Sequence, residues 1–193
     1  MSPTPQEPEP ASPSFWTGTP FRVFIVVLVL AISLGILLLR DQVAQIGAVG
    51  YAGIFLVSLV GNATVILPAP SLALVFAMGS ALSPLLVGLA AGSGEALGEL
   101  TGYGLGFGGQ ALIENRRVYD YLAAWMERRG DITIFALSAI PNPFFDLAGI
   151  AAGASRYPLW RFLFICWLGK VLKTTVVAWM GFQGIALIEQ FLR

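Results

Sequence analysis

The sequence predicts an all-α integral membrane fold: an inverted repeat of two proline-broken re-entrant hairpins, set among transmembrane helices and one amphipathic interfacial helix. Three observations point there. Hydrophobic residues make up 56% of the 193 and charged residues 11%, with a mean hydropathy of +0.78, which is outside the range of soluble domains. The long apolar runs are broken twice by a Pro-x-Pro, at Pro68 and Pro70 and again at Pro141 and Pro143. Four charges, Glu95, Glu99, Lys170 and Lys173, stand inside apolar runs, where an ionised group is costly and therefore partnered or functional.

Composition also excludes function classes. Eleven Lys+Arg against eleven Asp+Glu leave a formal charge of +0, so no basic field exists to hold nucleic acid. With no histidine and the single cysteine Cys166, the chain lacks the usual general base, metal ligands and catalytic triads. No metal, cofactor or enzyme active site is expected.

Residues 1–20 hold half of the twelve prolines and little that could pack, which predicts a disordered tail ahead of a single polytopic membrane domain, 21–193. Val23 to Leu39 would reach about 25 Å as helix, enough for a first span. A signal peptide is the alternative, but the run is long for one and Arg40-Asp41 follows it in place of small residues. Gly47 to Leu67 is apolar again, then Pro68 and Pro70 interrupt it and Leu72 to Leu82 follows, only about 17 Å as helix. A re-entrant hairpin suits such a short, broken pair; ordinary loops between full spans are the other reading. Ser83-Pro84 opens a run to Phe107. Residues 110–129 alternate Leu112, Val118, Leu122, Trp125 and Met126 with charges at helical spacing, which predicts an interfacial helix ending at Gly130. Ile132 to Ile140, the break at Pro141-Asn142-Pro143, and Phe144 to Ala154 form the second hairpin. Pro158 opens a last run to Met180, and Ile185 to Arg193 is too short to cross.

The two halves match in order. Pro68-x-Pro70, Gly79-Ser80-Ala81 and Pro84 correspond to Pro141-x-Pro143, Gly153-Ala154-Ser155 and Pro158, with one residue more in the second half. Each then enters a helix carrying two charges. With a cytoplasmic N-terminus, Arg22, Arg116, Arg117, Arg128, Arg129, Arg156 and Arg161 lie inside, whereas Arg40 and Arg193 lie outside, as the positive-inside rule asks. The hairpins then enter from opposite faces, the architecture of midplane transport sites.

Glu95 and Glu99 are spaced i, i+4 and Lys170 and Lys173 i, i+3, so each pair occupies one helix face. Facing each other, they form either a polar seam for a head group or proton, or a structural ion pair that fixes helix register. Asp146, three residues past the second Pro-x-Pro, and Asn142 at its tip either cap the returning half-helix or line the pathway. Gly94, Gly98, Gly102 and Gly106 make a smooth stripe for close helix packing. Gly104, Gly106 and Gly109 fit G-x-G-x-x-G, but no strand precedes them, so no nucleotide site is expected. Asn62-Ala63-Thr64 is a nominal sequon within an apolar run and is set aside, and Cys166 reads as a small core residue.

Ser-Ala-Ile-Pro-Asn-Pro-Phe-Phe-Asp-Leu-Ala-Gly-Ile at 138–150 resembles the DedA/VTT-domain superfamily of SNARE-associated Golgi-type membrane proteins, and within it the vacuole membrane protein 1 branch. Gly94-Glu95-Ala96-Leu97-Gly98-Glu99-Leu100 and Gly169-Lys170 with Lys173 support the likeness, which covers about 50–180. The resemblance implies facing re-entrant hairpins and an activity in moving lipids between leaflets: phospholipid scrambling in eukaryotic members, polyprenyl-phosphate recycling in some bacterial ones. It carries functional suspicion onto Glu99, Asp146, Lys170 and Lys173, with Pro141, Asn142 and Pro143 shaping the hairpin. The chain departs from the bacterial pattern, which has an arginine before the second hairpin's proline and an acid near the first; here Ser138-Ala139-Ile140 and Asn62 stand there.

The expectation is a lipid scramblase working without ATP through a polar groove between the hairpins, its partners membrane phospholipids, with self-association left open. A proton-coupled transporter of an anionic lipid carrier or small solute is the alternative, and a non-transporting scaffold a third class. Without the long extensions of the eukaryotic branch, a prokaryotic plasma membrane is the expected location.

Overall fold

The computed structural model describes residues 48–63, 71–108, 116–141 and 144–192, with isolated helical positions at Val27, Leu28, Ala31, Leu34, Gly35 and Leu38. The expected tail 1–20, the remainder of the expected first span, Pro68, Pro70, Asn142 and Pro143 lie outside the described residues. Among the described residues every regular element is helical: α1 Ala48–Ala63, α2 Ser71–Ala81, α3 Pro84–Gly98, α4 Leu100–Phe107, α5 Arg116–Ala139, α6 Phe145–Ala154 and α7 Leu159–Leu192.

Local chemistry sets the boundaries. Pro84 begins α3 because its missing N–H falls where a helix has no acceptor to offer. The end of α6 is a Schellman turn: Tyr157 N–H reaches Ala152 O at 2.9 Å and Arg156 N–H reaches Gly153 O at 3.0 Å, with Arg156 in the left-handed region at φ 53. Pro158 then starts α7.

Two elements differ from the sequence expectation. The run from Ser83 to Phe107 is divided at Glu99 into α3 and α4, although Glu99 N–H to Glu95 O at 3.2 Å and Tyr103 N–H to Glu99 O at 3.0 Å carry the axis through. A helix with glycine at every fourth position holds its own geometry weakly, so this is where it loosens. The last run and the C-terminal tail are one helix, α7, ending at Leu192. The boundary expected at Gly130 is present one residue earlier: α5 consists of two helical stretches that meet at non-helical angles at Arg129 (φ −147, ψ 52).

Backbones cross closely at matched glycines. A Cβ on Gly79 of α2 would overlap Ala178 O of α7, and one on Gly181 would overlap Phe76 O of α2. The second half repeats this contact. A Cβ on Gly153 of α6 would overlap Tyr103 O of α4, and one on Gly106 would overlap Ile150 O of α6. In the same way Gly94 of α3 sits on Phe55 O of α1, and Gly169 of α7 on Phe135 O of α5. In that register Glu95 and Lys170 are equivalent, each following a packed glycine. Ser58 and Ser138, three residues past the two phenylalanines, are equivalent and both buried.

Two apolar cores result. One gathers Ile54, Val75, Val87, Ala91 and Ala178 from α1, α2, α3 and α7. The other gathers Tyr103, Ile134, Phe145, Phe162 and Cys166 from α4 to α7. The outside is apolar as well: along α7, Phe164, Leu168, Leu172, Val176 and Met180 are exposed, whereas Phe162, Cys166, Lys170, Thr174 and Ala178 are buried. Polar groups inside and a greasy stripe outside reverse the soluble pattern. Among the described residues, Leu159–Gly184 is the stretch long and apolar enough to cross a membrane; Val49–Ala63, Ser71–Ala81 and Phe145–Ala154 are shorter apolar helices.

Candidate functional site

The charged residues of α3, its junction with α4, and α7 meet between the two cores. Lys170 Nζ donates to Glu99 Oε1 at 2.6 Å and lies 3.6 Å from Glu95 Oε2, while Lys173 Nζ donates to Glu95 Oε2 at 2.6 Å. The relative exposures are 1% for Glu95, 2% for Glu99 and 3% for Lys170. Removing such charges from water is expensive, and mutual pairing with further hydrogen bonds is what offsets the cost. Lys170 accordingly also donates to Asn62 Oδ1 at 3.1 Å, and its ammonium stands 4.5 Å from the centroid of the Phe145 ring.

Supporting bonds set the helix positions around the cluster. Thr174 Oγ1 donates to Gly88 O at 2.8 Å, tying α7 to α3, and about two turns back along α7 Trp167 Nε1 donates to Ser93 Oγ at 2.9 Å. Asn62 Nδ2 bonds Ser58 O at 3.1 Å, which orients the amide oxygen toward Lys170. Glu95 Oε1 and Ser58 Oγ are buried with no hydrogen-bond partner among the described residues.

Depth follows from α7. Its apolar stretch runs from Leu159 to Gly184, and Lys170 and Lys173 lie about 17 to 21 Å from either end at 1.5 Å per residue, which is the middle.

Asp146 of α6 is half-buried and close enough to interact electrostatically with Lys170 and Lys173, but it makes no hydrogen bond or ion pair among the described residues. Among the described residues Asp146 does not make the cap weighed from the sequence. Phe144 occupies the N-cap with no side-chain cap bond, and Asp146 sits in the first turn, where its charge suits the helix dipole. Asn142 lies outside the described residues, and Pro141 is exposed just before them. Thus Glu95, Glu99, Lys170 and Lys173 come together, with Asp146 alongside. The polar groove expected between the hairpins is not open at these residues, because pairing and packing close the cluster.

Sequence reasoning passed over Asn62, Ser58 and Phe145. The signal for the first two was present: Ser58 and Asn62 are spaced i, i+4, the only strongly polar side chains in α1, and so share a face.

Comparison with known proteins adds one family match and three partial relatives. The family model of the VTT domain matches residues 69–183, which includes Glu95, Glu99, Asn142, Asp146, Lys170 and Lys173. Vacuole membrane protein KMS1 of Arabidopsis thaliana is 33% identical over 83 residues, 42% of this chain and 20% of that protein. The Vacuole membrane protein 1 homolog of Dictyostelium discoideum is 38% identical over 63 residues, 32% of this chain and 16% of its own length. Vacuole membrane protein KMS2 of Arabidopsis thaliana is 34% identical over 61 residues, 31% of this chain and 15% of that protein. The chain thus matches no more than a fifth of the length of these curated relatives. No solved structure matches it.

Proposed function

This chain belongs to the VTT-domain family, and on that premise we propose that it is a multi-pass membrane protein that scrambles phospholipids between leaflets without ATP. The observation that carries the proposal is the four-charge cluster at mid-depth of α7, at the seam between the two cores. A head group crossing hydrocarbon needs polar partners near the midplane, where water is scarce. Paired carboxylates and ammoniums offer both signs to a zwitterionic head group, and Asp146 adds a carboxylate with no ion pair among the described residues. The matched crossings at Gly79 and Gly153 support an inverted repeat whose short segments, α2 and α6, are the inner arms of two re-entrant hairpins. Passage requires the cluster to open, and partners so balanced can exchange one carboxylate for a lipid phosphate without stranding a charge. The reading places the protein in a plasma membrane, as a transport protein and not an enzyme, with membrane phospholipids as its partners.

A second reading, a proton-coupled transporter of an anionic lipid carrier or small solute, draws support from Glu95 Oε1 and from Asp146, which have no hydrogen-bond or ion-pair partner, respectively, among the described residues. The two separate by gradient dependence. In liposomes, scrambling proceeds at the same rate with and without an imposed pH gradient; exchange that appears only with the gradient supports the coupled transporter instead.

A further inference from the structure

A cleft of about 540 Å³ lies away from the charge cluster, where α5 kinks at Arg129 and α6 turns into α7. Four arginines line it, Arg128, Arg129, Arg156 and Arg161, against the carboxylates Glu127 and Asp131. Asp131 is already engaged, accepting hydrogen bonds from both Arg161 and the Tyr157 hydroxyl. Among the described residues Arg128, Arg129 and Arg156 have no carboxylate partner, and the Arg156 guanidinium carbon lies over the Phe107 ring, 5.6 Å from its centroid. Holding Arg156 there uses a left-handed backbone, a strained conformation for a non-glycine residue.

We propose that this cleft binds the phosphate of an anionic lipid head group. Guanidinium groups recognise phosphate oxygens bidentately, and three unpaired ones around one cleft exceed what Glu127 can balance. The position selects a lipid over a free anion. Pro158 and Arg161 line the cleft, and the membrane-crossing stretch of α7 starts between them at Leu159. The cleft therefore lies at the level where head-group phosphates sit. Trp160, 81% exposed, and Ile132, 61% exposed, offer apolar surface beside it for the attached acyl chains. The site rests on the membrane placement of α7 and not on scrambling.

The test uses the full chain in detergent, mixed with equal amounts of phosphatidylglycerol, phosphatidic acid and phosphatidylcholine, with retained lipid read by native mass spectrometry. Both anionic lipids should be retained about tenfold over phosphatidylcholine, and Arg129→Gln with Arg156→Gly should bring them to the phosphatidylcholine level. Glycine keeps the left-handed turn, so the variant's thermal melting reports whether it folds. If the double variant does not fold, the exposed single change Arg128→Gln should still lower retention severalfold, and Arg129→Lys, which keeps the charge but not the bidentate fork, should lower it less than Arg129→Gln. Equal retention of phosphatidylcholine, or variants that retain lipid as the parent does, overturns the proposal. Displacement of lipid by millimolar inorganic phosphate overturns the lipid assignment in favour of a soluble anion. Leaflet exchange measured on the same preparations is independent: lost retention with intact exchange in the variants leaves the scramblase reading standing, and retention without any exchange removes that reading alone.

Discussion

Lys170 and Glu99 are joined by a 2.6 Å ion pair whose side chains are 4% and 2% exposed, and it links α7 to the point where α3 gives way to α4. A pair so enclosed is held by mutual dependence. Neutralising one member leaves the other charged and dry.

Glu99→Gln or Lys170→Met alone should therefore destabilise the protein by about 3 to 5 kcal/mol, whereas the double replacement should cost much less than the sum. Thermal or denaturant unfolding in detergent measures the cycle. Strictly additive losses would contradict the pairing.

The matched glycines make a sharper packing prediction. Gly106→Ala drives a methyl into Ile150 O and Gly153→Ala drives one into Tyr103 O, so each should lower the melting temperature and impair yield of folded protein. Gly104 faces open space, and Gly104→Ala should be neutral or stabilise by about 0.5 to 1 kcal/mol, since alanine favours helix. Equal effects at Gly104 and Gly106 would count against the close crossing of α4 and α6.

At the α6 to α7 turn, Arg156 occupies the left-handed position that glycine normally fills. Arg156→Gly should be more stable than Arg156→Ala by about 1 kcal/mol, because both lose the contact with Phe107 but only alanine keeps the left-handed strain. Matching melting curves for the two variants would place the backbone elsewhere.

Orientation is testable with thiol labelling, for which the native Cys166 is silent because it is buried. A cysteine at Arg128 should react from the cytoplasmic side and one at Gln42 from the opposite side, as the Lys/Arg asymmetry predicts. Reversed labelling would invert the assignment of both hairpins.

The sequence made the charged pairs and the helical class legible because an ionised residue in an apolar run stands out against its surroundings. Asn62 was hidden by the same criterion, since a neutral amide carries little cost until a neighbouring helix brings Lys170 to it. The division at Glu99 was equally hidden: no proline marks it, and a glycine at every fourth position signals packing and weak helix propensity alike. The helix boundary expected at Gly130 falls one residue earlier, where Arg129 takes the non-helical angles. Tyr157 of the next turn lies where a Cβ on Gly130 would be, so the glycine serves close packing and its neighbour bends.

The most direct test of the scramblase reading is the rate at which fluorescent phospholipid exchanges leaflets in liposomes containing the purified protein, with no ATP and no ion gradient. Exchange should be much faster than in protein-free liposomes for both zwitterionic and anionic lipids, and Asp146→Ala, at a half-buried position beside the cluster, should slow it while the melting temperature holds. Exchange no faster than in protein-free liposomes, measured on folded protein across several head groups, would contradict the account.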